Sequence, residues 1–332
     1  MPVVAGRSLP AEWGDEATGY GAKWLAAPAL ARLVSAFALH PDERRLAAAL
    51  AAGAPRETGV LARLDAFTDR WDTRGGKERR EARALEMTSH QEAMVLEAAT
   101  ALGLRGGPPA RFSTYDHVLV LGGTLRGCRV RTGEAARLLN SGRLGAKAVT
   151  ALGGHRPFSP EEFTHAAAIG HSHLREEFQA LDSCAREMFG LGEPERVVGE
   201  DSAEIGATWG VRHYRNTVGL PVRVAAAPSR TPGRRADTAD TYAFFADRLG
   251  QLRSESQLLL VTSAVNVPAQ HFTALRMLAL PYGARIDTVG HTAESVPPAL
   301  AWALSATEYL LEIRSAVRAL RRLREASAVQ GA

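Results

Sequence analysis

Hydrophobic and polar positions follow two different patterns along the chain, and the change comes near residue 110. Before that point, apolar residues recur at helical spacing over residues 26–37, 42–52, 57–71 and 78–102. Such spacing places the apolar side chains on one face of a helix. After it, short Val- and Leu-rich runs alternate with amphipathic stretches. The pattern predicts an all-helical domain over residues 1–110 and an α/β domain over residues 111–332.

The predicted strands are short apolar runs bounded by turn residues, which is typical of strands buried on both faces of a parallel sheet. They cover residues 116–121, 147–152, 221–227, 257–263 and 285–289, with a predicted hairpin over 195–200 and 208–214. The helices between and after them are predicted over residues 133–139, 175–189, 242–252, 271–280 and 297–326. The predicted fold class is therefore α/β, with a Rossmann-like, mostly parallel sheet flanked by helices, an N-terminal all-helical domain and a long C-terminal helix.

Glycine pairs follow the first two predicted strands. Gly122 and Gly123 end the first strand, and Gly153 and Gly154 end the second. Glycine allows a ligand to approach the backbone closely, and ligands of such sheets bind outside the carboxyl ends of the strands. The segment before the helix predicted at Gly133 holds three arginines, which suits an anion. The sequence therefore predicts an anion site at this edge of the sheet.

Two later loops are expected to complete that site. One is the arginine-rich segment 228–235 with the Asp- and Thr-rich helix start that follows it, and the other is the segment 263–271. Asp240 is the predicted general base and His271 the second candidate, because both supply a proton-accepting group at this edge. The predicted ligand-binding residues are Gly122, Gly123, Arg126, Arg131, Gly153, Gly154, Ser229, Arg235, Thr238, Thr241, Ser263 and Asn266.

Composition narrows the class of protein. The content of 45% hydrophobic and 23% charged residues is that of an ordinary globular protein, and a net charge of +4 over 332 residues does not indicate nucleic acid. Two cysteines exclude a disulfide framework and multi-cysteine zinc patterns. The spacing of His165, His171 and His173 does not match a metal site. Without a secretory signal or a run of 18 apolar residues, we expect a cytoplasmic protein with no membrane partner.

The order of several short motifs resembles a bacterial family. The motifs are residues 118–123 with Arg131, residues 149–154, residues 238–241, and residues 261–264 with Pro268. Over residues 114–290 this order resembles the SanA/YdcF/ElyC-like family, whose function is poorly defined. Asp240 and Thr241 stand where that family has Glu and Asn. The resemblance implies a Rossmann-like domain.

These observations leave more than one function open. The first is an enzyme, a transferase or hydrolase, acting on a phosphorylated or nucleotide-like small molecule at the carboxyl edge of the sheet. The second is a non-catalytic module that binds a nucleotide or S-adenosylmethionine. A redox Rossmann enzyme is less favoured, because Gly154-His155-Arg156 follows the second strand where an acid would hold a ribose. The expected partner is a small anionic molecule rather than nucleic acid, and the C-terminal helix offers a face for a homo-oligomer.

Overall fold

The structure is a computed structural model that describes residues 20–53, 59–75, 83–106, 109–291, 296, 300 and 302–330. Its helices are α1 (Pro28–Phe37), α2 (Pro41–Ala51), α3 (Val60–Thr68), α4 (Ser89–Ala101), α5 (Leu125–Asn140), α6 (Pro160–Ala168), α7 (Glu177–Phe189), α8 (Thr238–Phe244), α9 (Val267–Ala274), α10 (Leu280–Tyr282) and α11 (Ala306–Gln330). Residues 20–25 are also helical, and π-helical turns extend α8 over Phe245–Gly250 and α9 over Leu275–Ala279. The strands are β1 (Thr114–Tyr115), β2 (His117–Leu121), β3 (Gly145–Ala146), β4 (Val149–Gly153), β5 (Arg196–Glu200), β6 (Trp209–Arg215), β7 (Pro221–Ala226), β8 (Gln257–Ser263) and β9 (Arg285–His291). The predicted α/β class is confirmed.

Within the described residues, seven strands form one sheet in the order β5-β6-β7-β4-β2-β8-β9. The five strands from β7 to β9 are parallel, and β5 and β6 add an antiparallel hairpin at one edge. The chain runs outward from β2 to β4 and β7, then returns to the other side of β2 for β8 and β9. The order of the parallel strands is thus that of a Rossmann-like sheet, with its topological switch point between β2 and β8.

The central strands are apolar on both faces, as their sequences predict. Val118 of β2 lies opposite Val149 of β4 and Leu259 of β8, and all three side chains are buried. Helices α5 and α7 cover the sheet and contribute Ala135, Leu181 and other buried residues to the same core. Each such side chain stabilises the fold by about 1.5–3 kcal/mol when fully buried. This core fixes where the carboxyl ends of the strands lie.

By its contacts the chain forms two compact units. The helical unit comprises Met1–Gly106, Val265–Arg276 and Trp302–Ala332, and the α/β unit comprises Gly107–Ala264 and Met277–Ala301. The predicted domains differ from these units in their last part, since α11 was assigned to the α/β domain. Its apolar stripe, which includes Leu310, Ile313 and Val317, is buried within the helical unit.

The helical unit has an aromatic centre and a set of internal ion pairs. Trp71 is fully buried, with its ring edge-on to Phe37 and Phe67. Arg314 of α11 donates a hydrogen bond of 2.7 Å to Asp69. Arg318 and Arg321 of the same helix pair with Asp65, so three arginines of α11 have acidic partners in their own unit. In the described part of the chain, no helix is long and apolar enough to cross a membrane.

Several predicted helix starts are wrong, and the helix predicted over residues 297–326 begins only at Ala306. Helix α5 begins at Leu125, not at residue 133, because the Thr124 hydroxyl accepts a hydrogen bond of 3.2 Å from the Gly127 amide and caps it. The arginines 126, 129 and 131 therefore lie on the helix and not in a loop. The helix predicted over residues 78–102 begins at Ser89 behind a Thr88 cap, and residues 76–82 lie outside the described part.

Candidate functional site at the carboxyl edge of the sheet

The two glycine turns make room for a carboxylate of the chain itself. A Cβ atom at Gly153 would lie 2.6 Å from the Oε1 atom of Glu177, and a Cβ at Gly122 would collide with the same oxygen. Glu177 is the first residue of α7 and is 9% exposed. The space that the two glycines leave open is therefore occupied by the Glu177 side chain.

Arg156, in the loop after β4, joins two buried carboxylates to the turn after β2. Its guanidinium donates at 2.8 Å to both oxygens of Glu162, at 3.2 Å to Glu177 and at 2.9 Å to the Gly123 carbonyl. Glu162 also accepts a hydrogen bond of 3.0 Å from the Leu125 amide at the start of α5. The helix N-terminus predicted to bind an anion is thus capped by Glu162.

The two carboxylates differ in their protonation. Burial raises the pKa of Glu177 to about 6, although the nearby Arg156 opposes that rise. Burial acts in the same direction on Glu162, but hydrogen bonds from Arg156 and from backbone amides dominate and hold its pKa at about 2. Glu162 is therefore the permanent anion of the pair, and Glu177 is the group that exchanges a proton near neutral pH.

Arg131 connects the two strands on either side of the switch point, β2 and β8. Its buried guanidinium donates to the Ser263 hydroxyl at 3.0 Å and to the Leu121 carbonyl at 2.9 Å, and it also contacts the Gly122 carbonyl. These bonds tie the end of β2 to the end of β8. Arg131 and Ser263, both predicted to bind a ligand, are here bonded to each other and to the backbone.

Asp240 lies at the start of α8, where it organises the arginine-rich loop. Its buried carboxylate accepts hydrogen bonds from the Arg230 amide at 3.2 Å, the Asp237 amide at 2.9 Å and the Arg234 side chain at 2.9 Å. Asp237 caps the same helix by accepting from the Asp240 amide at 3.0 Å. The carboxylate therefore has three donors within its own unit, and its role as a general base stays a prediction.

The remaining predicted residues lie at several places. Arg126 is half-buried on the first turn of α5, and the Ser229 hydroxyl donates to the Thr231 carbonyl at 2.9 Å. The Thr241 hydroxyl donates to the Thr238 carbonyl at 2.9 Å. Asn266 and His271 belong to the helical unit, where Asn266 donates at 2.8 Å to Glu312 and the His271 ring lies 4.9 Å from that of Tyr20. Their ligand-binding and catalytic roles stay predictions.

A pocket of about 200 Å³ opens where β4 and β7 end. Its lining includes His155, Ser202, Glu204, Thr208 and Arg235. Gly206, also in the lining, has φ +82° and lies against the Arg234 carbonyl, so the loop between β5 and β6 packs directly on the arginine-rich loop. The Ser229 amide donates to the Gly206 carbonyl at 2.7 Å and fixes the same contact. The pocket brings together the predicted Arg235 and residues from two other loops.

His155 is held in this pocket by Glu176, the residue before α7. The Nδ1 atom of His155 lies 3.0 Å from the Glu176 carboxylate. Backbone hydrogen bonds keep the two segments together. The Phe158 amide donates to the Arg175 carbonyl at 2.9 Å, and the Glu177 amide donates to the Arg156 carbonyl at 2.9 Å. The Nε2 atom of His155 is buried and has no hydrogen-bond partner among the described residues. Among those same residues, no cluster of three or more His, Cys, Asp or Glu side chains could hold a metal ion.

Sequence reasoning missed most of these groups. In the sequence, His155-Arg156 is noted only as standing where a ribose-binding acid would be, and nothing marks Glu162 as a partner of Arg156. Glu176 and Glu177 carry no local signal, since they meet the β4 loop through contacts about 20 residues apart along the chain. A search for acids placed at the start of the helix that covers a glycine turn could have found Glu177.

The chain matches the family model described as the Rv3785 N-terminal domain over residues 15–103. It is 32% identical over 337 residues to the uncharacterized protein Rv3785 of Mycobacterium tuberculosis strain ATCC 25618 / H37Rv, with 91% of this chain and 88% of the relative covered. It has the same identity and coverage with the uncharacterized protein Mb3814 of Mycobacterium bovis strain ATCC BAA-935 / AF2122/97. No solved structure matches the chain.

These matches show that the predicted membership of the SanA/YdcF/ElyC-like family is wrong. The motifs that carried it are explained by the fold, since glycine turns after the strands permit close packing in parallel sheets of more than one family. The segment 238–241 is the capped first turn of α8, and Arg131 is the clamp between β2 and β8. The match at 32% identity over 91% of the chain shows that the chain belongs to the Rv3785 family.

Proposed function

We propose that the α/β unit is an enzyme, a transferase or hydrolase, that acts on a phosphorylated or nucleotide-like small molecule at the carboxyl edge of the sheet. The observation that carries this proposal is the pocket at the ends of β4 and β7, where Arg235 and His155 lie in one lining. Arginine suits a phosphoryl group because its guanidinium offers several donors in a fixed plane. A pocket of about 200 Å³ is below the roughly 300–1,000 Å³ typical of drug-sized ligands, which favours a small ligand or one end of a larger one.

Charge favours this pocket over the neighbouring glycine turns. At those turns, a phosphate would approach the carboxylates of Glu162 and Glu177, which already share Arg156. Like charges at contact distance disfavour binding. The pocket beside β7 has one acid in its lining, Glu204, and one guanidinium, that of Arg235. We therefore assign the ligand to the pocket and a supporting role to the glycine turns.

Calorimetric titration of the full-length protein tests the assignment. The panel contains inorganic phosphate, ribose 5-phosphate, AMP, ATP and S-adenosylmethionine. We expect a phosphorylated compound to bind, and Arg235→Ala to weaken that binding about 10- to 100-fold, which is the value of one charge-assisted hydrogen bond. Arg230→Ala is the matched control, because this exposed arginine of the same loop does not line the pocket. Failure of every phosphorylated compound to bind, or unchanged affinity in Arg235→Ala, would refute the proposal.

A second function has one specific observation in its favour. The carboxylate of Asp240, the predicted base, accepts three hydrogen bonds from its own loop and helix, as expected of a structural group. A non-catalytic module that binds a nucleotide or S-adenosylmethionine would show saturable binding with no turnover of the bound compound. Chromatography of each bound compound after prolonged incubation separates this function from the enzyme.

We infer a cytoplasmic location from the state of the cysteines. Cys128 and Cys184 are buried free thiols in the structure. Free thiols persist in a reducing compartment. Fusion to a redox-insensitive reporter and cell fractionation would test this, and recovery of the protein outside the cytoplasm would contradict it.

A further inference from the structure

His155 has the surroundings of a histidine prepared to accept a proton. A neutral imidazole carries its proton on one ring nitrogen and a lone pair on the other. Because the Nδ1 atom lies 3.0 Å from the Glu176 carboxylate, which only accepts hydrogen bonds, the proton of the neutral ring belongs on Nδ1. The lone pair is then on Nε2. Glu176 thus determines which nitrogen of His155 can act as a base.

The Nε2 atom lacks the hydrogen bond that a buried polar atom normally makes. It is buried and has no partner among the described residues. A buried polar atom without a partner costs about 1–3 kcal/mol, and structures retain such atoms where a water or a ligand completes them. The side chain lines the pocket and is 25% exposed through its other atoms, so a ligand contacts the ring there and reaches Nε2 by displacing the atoms that cover it. The partner that Nε2 lacks would then come from the pocket.

We propose that His155 is the general base of this site and that Glu176 is the residue that positions it. The inference rests on the proposed function, since it takes a phosphorylated molecule in the pocket as substrate. Nε2 removes the proton from water, in a hydrolase, or from a substrate hydroxyl, in a transferase. The oxygen forms a bond to phosphorus as the bond from phosphorus to the leaving oxygen breaks. The imidazolium then returns its proton to the leaving oxygen, so that the enzyme ends unchanged.

The groups around His155 are consistent with its role as a base and with a phosphoryl group in the pocket. Arg235, in the same lining, can neutralise the charge of the phosphoryl oxygens. Phe178 packs edge-on to the imidazole at 5.2 Å and limits its rotation. Glu204 is the acid in the lining, and its place next to Ser202 and Thr208 suits the hydroxyl-bearing part of a substrate better than its phosphate.

The first test needs no substrate. The chain has ten histidines, so the protein is labelled with ¹⁵N-histidine and His155 is assigned by comparison with His155→Gln. Long-range ¹H–¹⁵N correlation spectra then report which nitrogen is protonated. We expect the neutral ring to carry its proton on Nδ1 in the native protein and in Glu176→Gln, whose amide oxygen can still accept. In Glu176→Ala we expect a shift towards the Nε2-protonated form. A native ring protonated on Nε2 would overturn the proposal.

The second test measures turnover. Release of nitrophenolate from p-nitrophenyl phosphate, and conversion of each panel compound that binds, is followed in the native protein and its variants. We expect His155→Gln to lower turnover at least 100-fold while affinity changes little, and His173→Gln, an exposed control, to behave as the native protein does. Equal turnover in His155→Gln and the native protein would remove His155 from the mechanism, as would binding of the panel with no turnover of any compound.

The two proposals fail in different ways. If no phosphorylated compound binds, the proposed function fails and the catalytic step fails with it, whatever tautomer the spectra show. If binding depends on Arg235 but turnover does not depend on His155, the ligand class stands and only the general base is wrong. Glu176→Ala gives a further distinction, because a positioning role predicts a lower turnover together with the change of tautomer, whereas a merely structural role predicts lower stability with unchanged turnover per folded molecule.

Discussion

Glu177 and Glu162 share one arginine, and their replacement by glutamine should change stability in opposite directions. Glutamine has nearly the shape of a protonated glutamate and keeps a carbonyl oxygen that can accept a hydrogen bond from Arg156. It removes the negative charge and little else. The pair therefore measures what each charge is worth at one site, with the same chemical change in both variants.

The magnitudes follow from the two pKa values. The pKa of Glu177 rises from 4.5 to about 6, and since a tenfold change in proton affinity is worth about 1.4 kcal/mol, its ionisation at pH 7 costs the folded state about 2 kcal/mol. Between pH 4.5 and 6 the folded protein keeps a proton that the unfolded chain has lost, so stability falls as the pH rises through this window. Glu177→Gln should therefore be about 2 kcal/mol more stable than the native protein at pH 7, an advantage that disappears towards pH 4.

Glu162 has the opposite sign. Its pKa falls from 4.5 to about 2, so its charge contributes about 3 kcal/mol to the stability of the folded state at pH 7. That contribution is fully present above pH 4.5 and is lost as the pH falls through 2. Glu162→Gln should be destabilised by about 3 kcal/mol at pH 7. Part of this loss comes from the N-terminus of α5, which the charge of Glu162 faces.

The assay must report on the α/β unit, because the chain has two compact units that need not unfold together. Each variant is equilibrated in urea at pH 4 and at pH 7, then pulsed with deuterium at one fixed pH. Mass spectrometry of peptides from β2 and β4 gives the unfolded fraction of the sheet at each urea concentration. Destabilisation of both variants at pH 7, or equal effects of Glu177→Gln at the two pH values, would refute the assignment of charge within this network.

Substitutions at four further positions test other parts of the structure. Gly206→Ala places a Cβ against the Arg234 carbonyl at a positive φ, so we expect a loss of more than about 1 kcal/mol and weaker binding in the pocket, measured by thermal unfolding and titration. Asp240→Ala removes the acceptor of three hydrogen bonds, one of them from the amide of the capping residue Asp237, and should cost about 1–3 kcal/mol, whereas Asp240→Asn should cost less; loss of turnover with binding intact would instead support its role as a base. Arg131→Met leaves buried acceptors unpaired and should cost about 2–4 kcal/mol, with affected exchange protection in β2 and β8. Trp71→Ala should destabilise the helical unit by about 3–5 kcal/mol, and unchanged urea unfolding of that unit would contradict its central position.

The strands of the sheet could be predicted because their signal is local. A strand buried on both faces must be apolar throughout, and β8 was placed at residues 257–263, where the structure has it. The start of α5 could not be placed from apolar spacing, because its first turns carry Arg126 and Arg129 and only the Thr124 cap marks the beginning. The position of α11 in the helical unit depends on pairings across more than 200 residues, such as Arg314 with Asp69, which no local pattern contains.

The same distinction applies to the candidate site. Gly122 and Gly153 identify the turns, because a missing side chain is visible in the sequence. The residue that fills the space beside them is not visible in the sequence, because Glu177 lies 24 residues beyond Gly153 along the chain. A glycine turn after a strand therefore predicts a close contact, while the partner in that contact can be a ligand or the chain itself.

Glu162 and Glu177 occupy the glycine turn and the helix N-terminus after β2, which explains why the pocket lies at the ends of β4 and β7 instead. In sheets of this order, the dinucleotide phosphates normally meet the glycine turn after the first strand and the helix N-terminus that follows it. Here the Leu125 amide is occupied by Glu162, and Arg156 neutralises part of the charge that Glu162 and Glu177 bring there. The residue next to Arg156 is His155, and the residue next to Glu177 is Glu176, so the network that fills the glycine turn also holds the His155–Glu176 pair in the pocket at the ends of β4 and β7. The carboxylates of the switch point thus support the adjacent pocket, where we propose that the anion binds.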